Sequence, residues 1–184
     1  GVFILGARDC TIQRKNQKLI EECPASILDS QTLESISRAS VQICKAANYL
    51  NIGTIEYIYD LNSKRYYFLE MNTRIQVEHP VTEMCFGLDL VEIQIQIARQ
   101  EKINLIPSSL TGEGYAIECR INAENPDKKF MPSPGTITSL KWPNIKGVRI
   151  DSHIFEGYSI PIFYDSLIAK IICHASTLSG HHNF

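Results

Sequence analysis

The chain has 184 residues, 44% of them hydrophobic, and a formal net charge of −2 at pH 7. That length holds one large domain or two small ones, and that apolar share is enough to build a core. The charge offers no basic surface for nucleic acid, no apolar run reaches the ~20 residues that span a bilayer, and no signal peptide is visible, so neither nucleic-acid nor membrane partners are expected.

Six cysteines, at 10, 23, 44, 85, 119 and 173, form no Cys-x-x-Cys pair and fall mostly in apolar stretches, the pattern of buried reduced thiols in a cytosolic protein rather than of a metal or disulfide framework. Both ends look cut. Residues 2–5 are expected to begin directly as a strand, with no leader. Residues 176–184, with His181 and His182, lack periodicity and read as a disordered tail.

Residues 8–18 carry Arg8, Arg14, Lys15 and Lys18 against the single acid Asp9. They read either as a solvated loop or as an edge that binds an anion such as phosphate or bicarbonate. Asp29 or Ser30 then caps a helix expected to run to about residue 50, with Leu33, Ile36, Ile43, Cys44, Ala47 and Leu50 on its buried stripe. Two stretches rich in Tyr, Ile and Phe follow, 54–61 and 65–71, with Asn62, Ser63 and Lys64 between them: a hairpin. If those three residues form the loop, Leu61 pairs with Arg65 and Glu56 stands opposite Glu70. Glu56, Ile58, Phe68, Glu70 and Asn72 then share a face. Facing carboxylates ~4 Å apart repel by about 4 kcal/mol at an effective dielectric of about 20. The alternatives are two acids on an open sheet face, a protonated acid, or a bound cation, for which two carboxylates and an amide oxygen suit Mg²⁺.

The densest chemistry follows in Phe68-Leu-Glu70-Met-Asn72-Thr-Arg74-Ile-Gln76-Val-Glu78-His-Pro80-Val-Thr-Glu83. Charged groups among apolar residues are costly unless paired or bound to a cation. The run reads as a strand leading into an active-site loop. Pro80 disfavours helix at His79, and Arg74 and Glu78, evenly spaced on one extended segment, are expected to face the same site. Residues 88–100 mix strand and helix periods but are long enough to be a helix. Residues 104–114 read as a linker, and 114–122, 135–140, 148–153 and 166–174 as strands of an antiparallel sheet. Arg120, among Ile117, Cys119 and Ile121, is either a site residue or an exposed strand residue paired to Glu118 or Glu124.

The block from Glu70 to Glu83 resembles the signature of the biotin carboxylases of the ATP-grasp superfamily, the subunit type found in acetyl-CoA, propionyl-CoA and pyruvate carboxylases. Arg8-Asp-Cys-Thr-Ile-Gln-Arg, Gly53-Thr-Ile-Glu-Tyr, Glu118-Cys-Arg-Ile-Asn-Ala-Glu-Asn-Pro, Pro132-Ser-Pro-Gly and Tyr164-Asp-Ser-Leu-Ile-Ala-Lys agree in order, so the resemblance covers residues 2 to about 174. It implies an α+β chain: the C-terminal half of an ATP-grasp domain, an antiparallel sheet with helices (1–106), then a partial biotin carboxylase C-terminal antiparallel β domain (107–175), then the tail (176–184). The Met-Asn-Thr form looks bacterial or organellar, which implies the cytoplasm or an organellar matrix.

The resemblance also implies the chemistry. ATP and bicarbonate give carboxyphosphate and ADP, and the carboxyl group moves to biotin on a carrier protein, to be passed on by a carboxyltransferase. Glu56, Glu70 and Asn72 would hold Mg²⁺ or Mn²⁺. Lys18, Arg74, Gln76 and the backbone of Val77 would hold bicarbonate, with Glu78 as general base. Arg120 would stabilise the biotin enolate. Gln13, Asn16 and Ile58, with Glu56 and Glu70, would contact ATP. Asn16 stands where the family usually has a histidine, and Ala7 where an acid commonly precedes Arg8-Asp9; the first predicts weaker nucleotide binding. A full member carries, ahead of this region, a glycine-rich lid, phosphate-binding lysines and most of an adenine pocket, so these 184 residues alone are expected to be inactive or nearly so. The alternatives are an inactive remnant serving only as an assembly or dimerisation module, with Arg149 at a matching interface position, and another ATP-grasp ligase related to carbamoyl phosphate synthetase, which the 74–78 run and Arg120 disfavour.

Overall fold

A computed structural model describes residues 1–103 and 112–178. The expected tail beyond 178 and most of the expected linker, 104–111, lie outside the described residues. Five antiparallel strands form the main sheet, in the order β1 (Asp9–Arg14), β2 (Gln17–Cys23), β5 (Tyr115–Asn122), β11 (Leu167–Ala175) and β9 (Val148–Ser152). Helix α1 (Ser30–Ala46), the hairpin β3 (Thr54–Asp60) and β4 (Arg65–Asn72), α2 (His79–Phe86) and α3 (Leu90–Ala98) lie between β2 and β5 in the chain. Short pairs complete the second half: β6 (Glu124–Asn125) with β7 (Met131–Pro132), and β8 (Gly135–Thr136) with β10 (Ser159–Ile160). The main sheet thus crosses the expected boundary at 106, because β1 and β2 come from the first segment and its other strands from the second.

The cationic stretch 8–18 is a hairpin rather than a loop. Lys15 (φ 51°) and Asn16 (φ 62°) make its two-residue turn, the pair of positive φ values a type I′ turn needs and one that Asn accepts readily. Residues 2–5 are not a strand: among the described residues no neighbouring strand pairs with them. Asp29 caps α1 by accepting from the Thr32 backbone N–H at 2.8 Å. The helix ends at Ala46, short of the expected residue 50, and Asn48 follows at φ 49°. Its buried positions are Thr32 and Ser40; Leu33, Ile36, Ile43 and Cys44 are half-buried, while Ala47 and Leu50 are exposed. Hydroxyl contacts tie it to the hairpin, Ser40 to the Tyr57 hydroxyl at 2.9 Å and Ser35 to that of Tyr66 at 2.8 Å.

In the β3–β4 hairpin Asp60, not Leu61, pairs with Arg65, so the loop is 61–64. Asp60 closes it by accepting from Asn62 N and Ser63 Oγ. A bulge at Leu69 then restores the register, and Glu56 stands opposite Glu70 as expected. The bulge also moves Phe68: it pairs with Tyr57 and meets that ring edge-on at 6.3 Å, whereas Ile58 pairs with Tyr67, so Phe68 leaves the Glu56 face.

Residues 79–86 are the helix α2, where an active-site loop was expected. Pro80 lies in its first turn, where a missing backbone N–H costs nothing because that donor has no intrahelical partner. Gly87, at φ 62°, ends it. Helix α2 covers one face of the main sheet, and Val81 and Cys85 pack with Cys23, Ala116 and Ile172 as the core. The expected helix at 88–100 is α3, capped by Asp89. In the second half the strands expected at 114–122, 148–153 and 166–174 are β5, β9 and β11, whereas 135–140 holds only the two-residue β8. All six cysteines are free; Cys23 and Cys85 are buried and the other four half-buried. Among the described residues no helix is long and apolar enough to cross a membrane.

Ile172 is fully buried at the centre of this core. Replacing it with alanine is expected to cost about 2–5 kcal/mol, read as a lower urea midpoint at unchanged slope.

Candidate active site

Glu78 sits in the turn that opens α2 and is 2% exposed. Its two oxygens meet cations from two strands of the main sheet: Lys18 Nζ on β2 donates to Oε1 at 2.7 Å, and Arg120 Nη2 on β5 donates to Oε2 at 3.1 Å. A β-bulge makes the first contact possible. Gln13 pairs with Lys18 and Ile12 with Ile20, so Leu19 is the extra residue, and it turns Lys18 onto the face that carries Glu21. Burial pushes the Glu78 carboxyl up, but the hydrogen bond from Lys18 and the charges of Arg8 and Lys18 outweigh it and hold the group below the usual carboxylate range. Burial acts against the charge on Lys18, and its bonds to Glu78 and Glu56 hold its pKa above the ordinary lysine value. Both groups are therefore charged at neutral pH.

Lys18 also donates to Glu56 Oε1 at 2.9 Å, which joins the sheet to the hairpin. The same oxygen accepts from Gln76 Nε2 at 2.7 Å, and the amide of Asn72 donates to Glu56 at 3.2 Å and to Glu70 at 2.9 Å. Four donor contacts on two facing carboxylates mark the place where positive charge is wanted. No third His, Cys, Asp or Glu joins a cluster here among the described residues. Two carboxylates fit Mg²⁺, which takes few protein ligands and leaves positions for phosphate oxygens and water, whereas Asn72 turns its amide nitrogen to the two acids and its oxygen to Arg74, so the expected amide-oxygen ligand is not presented in this arrangement.

Three residues hold this arrangement: Glu21 and Glu83, to which the sequence reading gives no role, and Arg8, read there only as one cation of a possible anion-binding edge. Arg8 donates to Gln76 Oε1 at 2.7 Å, to Thr54 Oγ1 at 3.0 Å and to Thr82 Oγ1 at 3.0 Å, which fixes the Gln76 amide so that its nitrogen faces Glu56. Glu83 accepts from the Leu90 backbone N–H at 2.7 Å and from Arg149 at 2.6 Å, tying α2 to α3 and β9. Glu21, fully buried, accepts from Arg120 Nε at 2.7 Å. Arg8 and Glu83 lie inside the matched motifs, which was the available signal; nothing local marks Glu21.

The other expected site residues lie as follows. Arg120 pairs with Glu21 and Glu78, not with Glu118 or Glu124, and is not exposed. Residues 73–78 are not part of a strand, with a bend at Arg74 and a turn at Val77 and Glu78, and Arg74 points elsewhere than Glu78: it is exposed and bonds Ile75 O at 3.1 Å and Asn72 Oδ1 at 3.4 Å. The Val77 carbonyl accepts from Lys170 at 2.8 Å. Glu70, Ile58, Gln13 and Asn16 are exposed, Gln13 folding back onto the Cys10 carbonyl at 2.9 Å. Cys10 faces Glu78 at 3.8 Å, and burial pushes its thiol up to about 12, so it is no nucleophile at neutral pH.

Residues 1–106 match the family described as carbamoyl-phosphate synthase L chain, ATP binding domain, and residues 118–181 match the biotin carboxylase C-terminal domain. The chain belongs to the biotin carboxylase family. Biotin carboxylase 1 of Bacillus subtilis is 56% identical over 94% of this chain and 38% of its own length, and the biotin carboxylase of a Nostoc species is 53% identical over 93% and 38%. The biotin carboxylase domain dimer of Hydrogenobacter thermophilus 2-oxoglutarate carboxylase, solved with MgADP, ADP and bicarbonate, superposes with a TM-score of 0.90 at 47% identity over 94% of this chain and 38% of that one. The chain spans 38% of the length of these biotin carboxylases.

Arg8→Met removes the charge-assisted bonds that set the Gln76 amide. It is expected to lower stability by about 1.5–3 kcal/mol in chemical denaturation; a change below about 0.5 kcal/mol would show that Gln76 holds its orientation without Arg8.

Proposed function

We propose that this chain supplies the bicarbonate-activating part of a biotin carboxylase: ATP-dependent carboxylation of biotin on a carrier protein, through carboxyphosphate. The observation that carries the reading is the buried Glu78, held ionised between Lys18 and Arg120 and linked through Lys18 to the facing acids Glu56 and Glu70. Bicarbonate is a poor nucleophile, and an ionised carboxylate beside cations is placed both to bind it and to take its proton. In this reading Lys18, Arg74, Gln76 and the backbone of Val77 bind bicarbonate. As bicarbonate draws on Lys18, the grip of that cation on Glu78 weakens and Glu78 becomes a stronger base. Arg120, already on Glu78, stabilises the enolate-like oxygen of biotin. Gln13, Asn16 and Ile58 contact the nucleotide. Glu56 and Glu70, with Asn72 beside them, would hold Mg²⁺ or Mn²⁺, which when bound would supply charge neutralisation at the transferring phosphate.

The partners that follow are a biotin carrier protein or domain and a carboxyltransferase, with a second copy of the chain as a dimer partner, in the cytoplasm or an organellar matrix. The division at residue 106 is then one of ancestry more than of packing, since the two segments share a sheet.

The test is bicarbonate-dependent ATP hydrolysis with free biotin, measured on the chain joined to the remaining portion of a relative such as the Bacillus subtilis protein. Glu78→Gln is expected to lower that rate by about 10²–10⁴-fold, the usual worth of a general base, with little change in nucleotide affinity by calorimetry. Undiminished turnover in the variant would refute the role of Glu78. No bicarbonate dependence in the unmodified assembly would favour a module that serves only assembly.

A further inference from the structure

The proposed biotin carboxylation draws on Arg120 but not on the acid next to its anchor. Glu21 on β2 and Glu118 on β5 are direct partners in the ladder, and both are 0% exposed. Such partners have Cβ atoms ~5 Å apart. Glu21 receives Arg120 on one oxygen; its other oxygen and both oxygens of Glu118 have no hydrogen-bond partner. Two adjacent buried anions, one of them with no donor at all, repel each other and lose their hydration together.

The charged groups around Glu118 are otherwise engaged. Glu21 faces it from β2, Arg120 from its own strand, Lys170 from β11 and Glu78 from the turn before α2. Arg120 is committed to Glu21 and Glu78, and Lys170 to the Val77 carbonyl and Asp151. In the same ladder row lie Ile172 and then Arg149 of β9, which is held by Asp151 and by Glu83 of α2; His79 of α2 is held by the Gln76 carbonyl. No cation is left over for Glu118 among these groups.

We propose that Glu118 keeps its proton at neutral pH and acts as a positioning residue for Arg120: loss of that proton places a second anion beside Glu21 and draws the guanidinium away from Glu78 towards the sheet. The step releases one proton to solvent and needs no other reactant. Burial pushes the Glu118 carboxyl up to about 8, with Lys170 acting the other way and the charge of Glu21 adding to the rise. Burial also raises Glu21, against the pull of Arg120. The ionisation stands independently of the enzymatic reading; its consequence for turnover rests on it.

A raised carboxyl pKa has a definite sign in stability. Below the unfolded value of about 4.3 both states are protonated and Glu118 costs nothing. Between there and about 8 only the unfolded state ionises, so stability falls as pH rises; above about 8 the loss is complete. Glu118→Gln, which mimics the protonated acid, lacks this slope and is expected to be the more stable protein at pH 8–9.

The experiment is a carbon-13 titration of glutamate carboxyls together with the nitrogen-15 signal of Arg120 Nε. One carboxyl is expected to titrate near pH 8 in the unmodified chain and to be missing in Glu118→Gln. The Arg120 signal is expected to move with the same midpoint, and to stay still in the variant. If every glutamate titrates below about pH 6, the protonated acid is refuted. If the carboxyl titrates near 8 but the Arg120 signal does not follow, the positioning role is refuted. Should Glu118→Gln not fold, Glu21→Gln decides the matter: with that neighbouring charge gone the Glu118 midpoint must fall, and an unchanged midpoint overturns the pair. In the assembled enzyme the alkaline limb of biotin-dependent turnover moves upward in Glu118→Gln; absence of turnover at every pH would sink the enzymatic reading, and the two titrations would still decide the acid pair.

Discussion

A buried carboxylate needs positive charge nearby, and in this chain the charge for Glu78 comes from far along the sequence. Lys18 lies 60 residues before it and Arg120 42 residues after. Neither cation can reach Glu78 unless β2 and β5 are neighbours and α2 lies across them. The ladder between β2 and β5 satisfies the first condition and the apolar contact of Val81 and Cys85 with Cys23, Ala116 and Ile172 the second. The core under α2 therefore does more than stabilise: it sets the height at which Glu78 meets the sheet. The two segments with different family matches are bound to each other by the same constraint.

Two β-bulges finish the placement. An uninterrupted β2 would put Lys18 and Glu21 on opposite faces, since they are three residues apart; the bulge at Leu19 brings them together. The bulge at Leu69 does the equivalent work in the hairpin, setting Glu70 opposite Glu56 although the turn is one residue longer than it first reads. Polar links then connect the two acids to the sheet, through Lys18 directly and through Gln76, whose amide Arg8 orients. Each link uses a side chain already held by another, so the carboxylates sit in a network with few free rotamers.

Much of this was legible in the sequence, and the misses have physical causes. The dense polar run 70–83 and the facing acids pointed to the site, yet the Glu56–Glu70 pairing was reached through a loop of 62–64 that the chain does not adopt; the bulge offset the error in register while moving Phe68 to the other face. Pro80 suggested a loop because it disfavours helix before it, but in a first turn it is tolerated, and α2 is the element that buries Glu78. Arg120 read either as a site residue or as an exposed strand residue paired to Glu118 or Glu124, its neighbours in sequence; its partners, Glu21 and Glu78, come from β2 and the turn before α2, too far along the chain for local reading to name them. The Glu21–Glu118 pair carried no local signal, because only the ladder between β2 and β5 makes those acids neighbours.

The site depends on the anion at Glu78 being paired inside the fold, and the stability of the chain reports this most directly. Removing one partner of a buried charge pair leaves the others desolvated and uncompensated, and Glu78→Ala is expected to destabilise the chain by about 3–5 kcal/mol at pH 7 in equilibrium denaturation. A loss of less than about 0.5 kcal/mol, the size of a surface substitution, would mean that Lys18 and Arg120 are not held by Glu78, and the site described would not exist in this form.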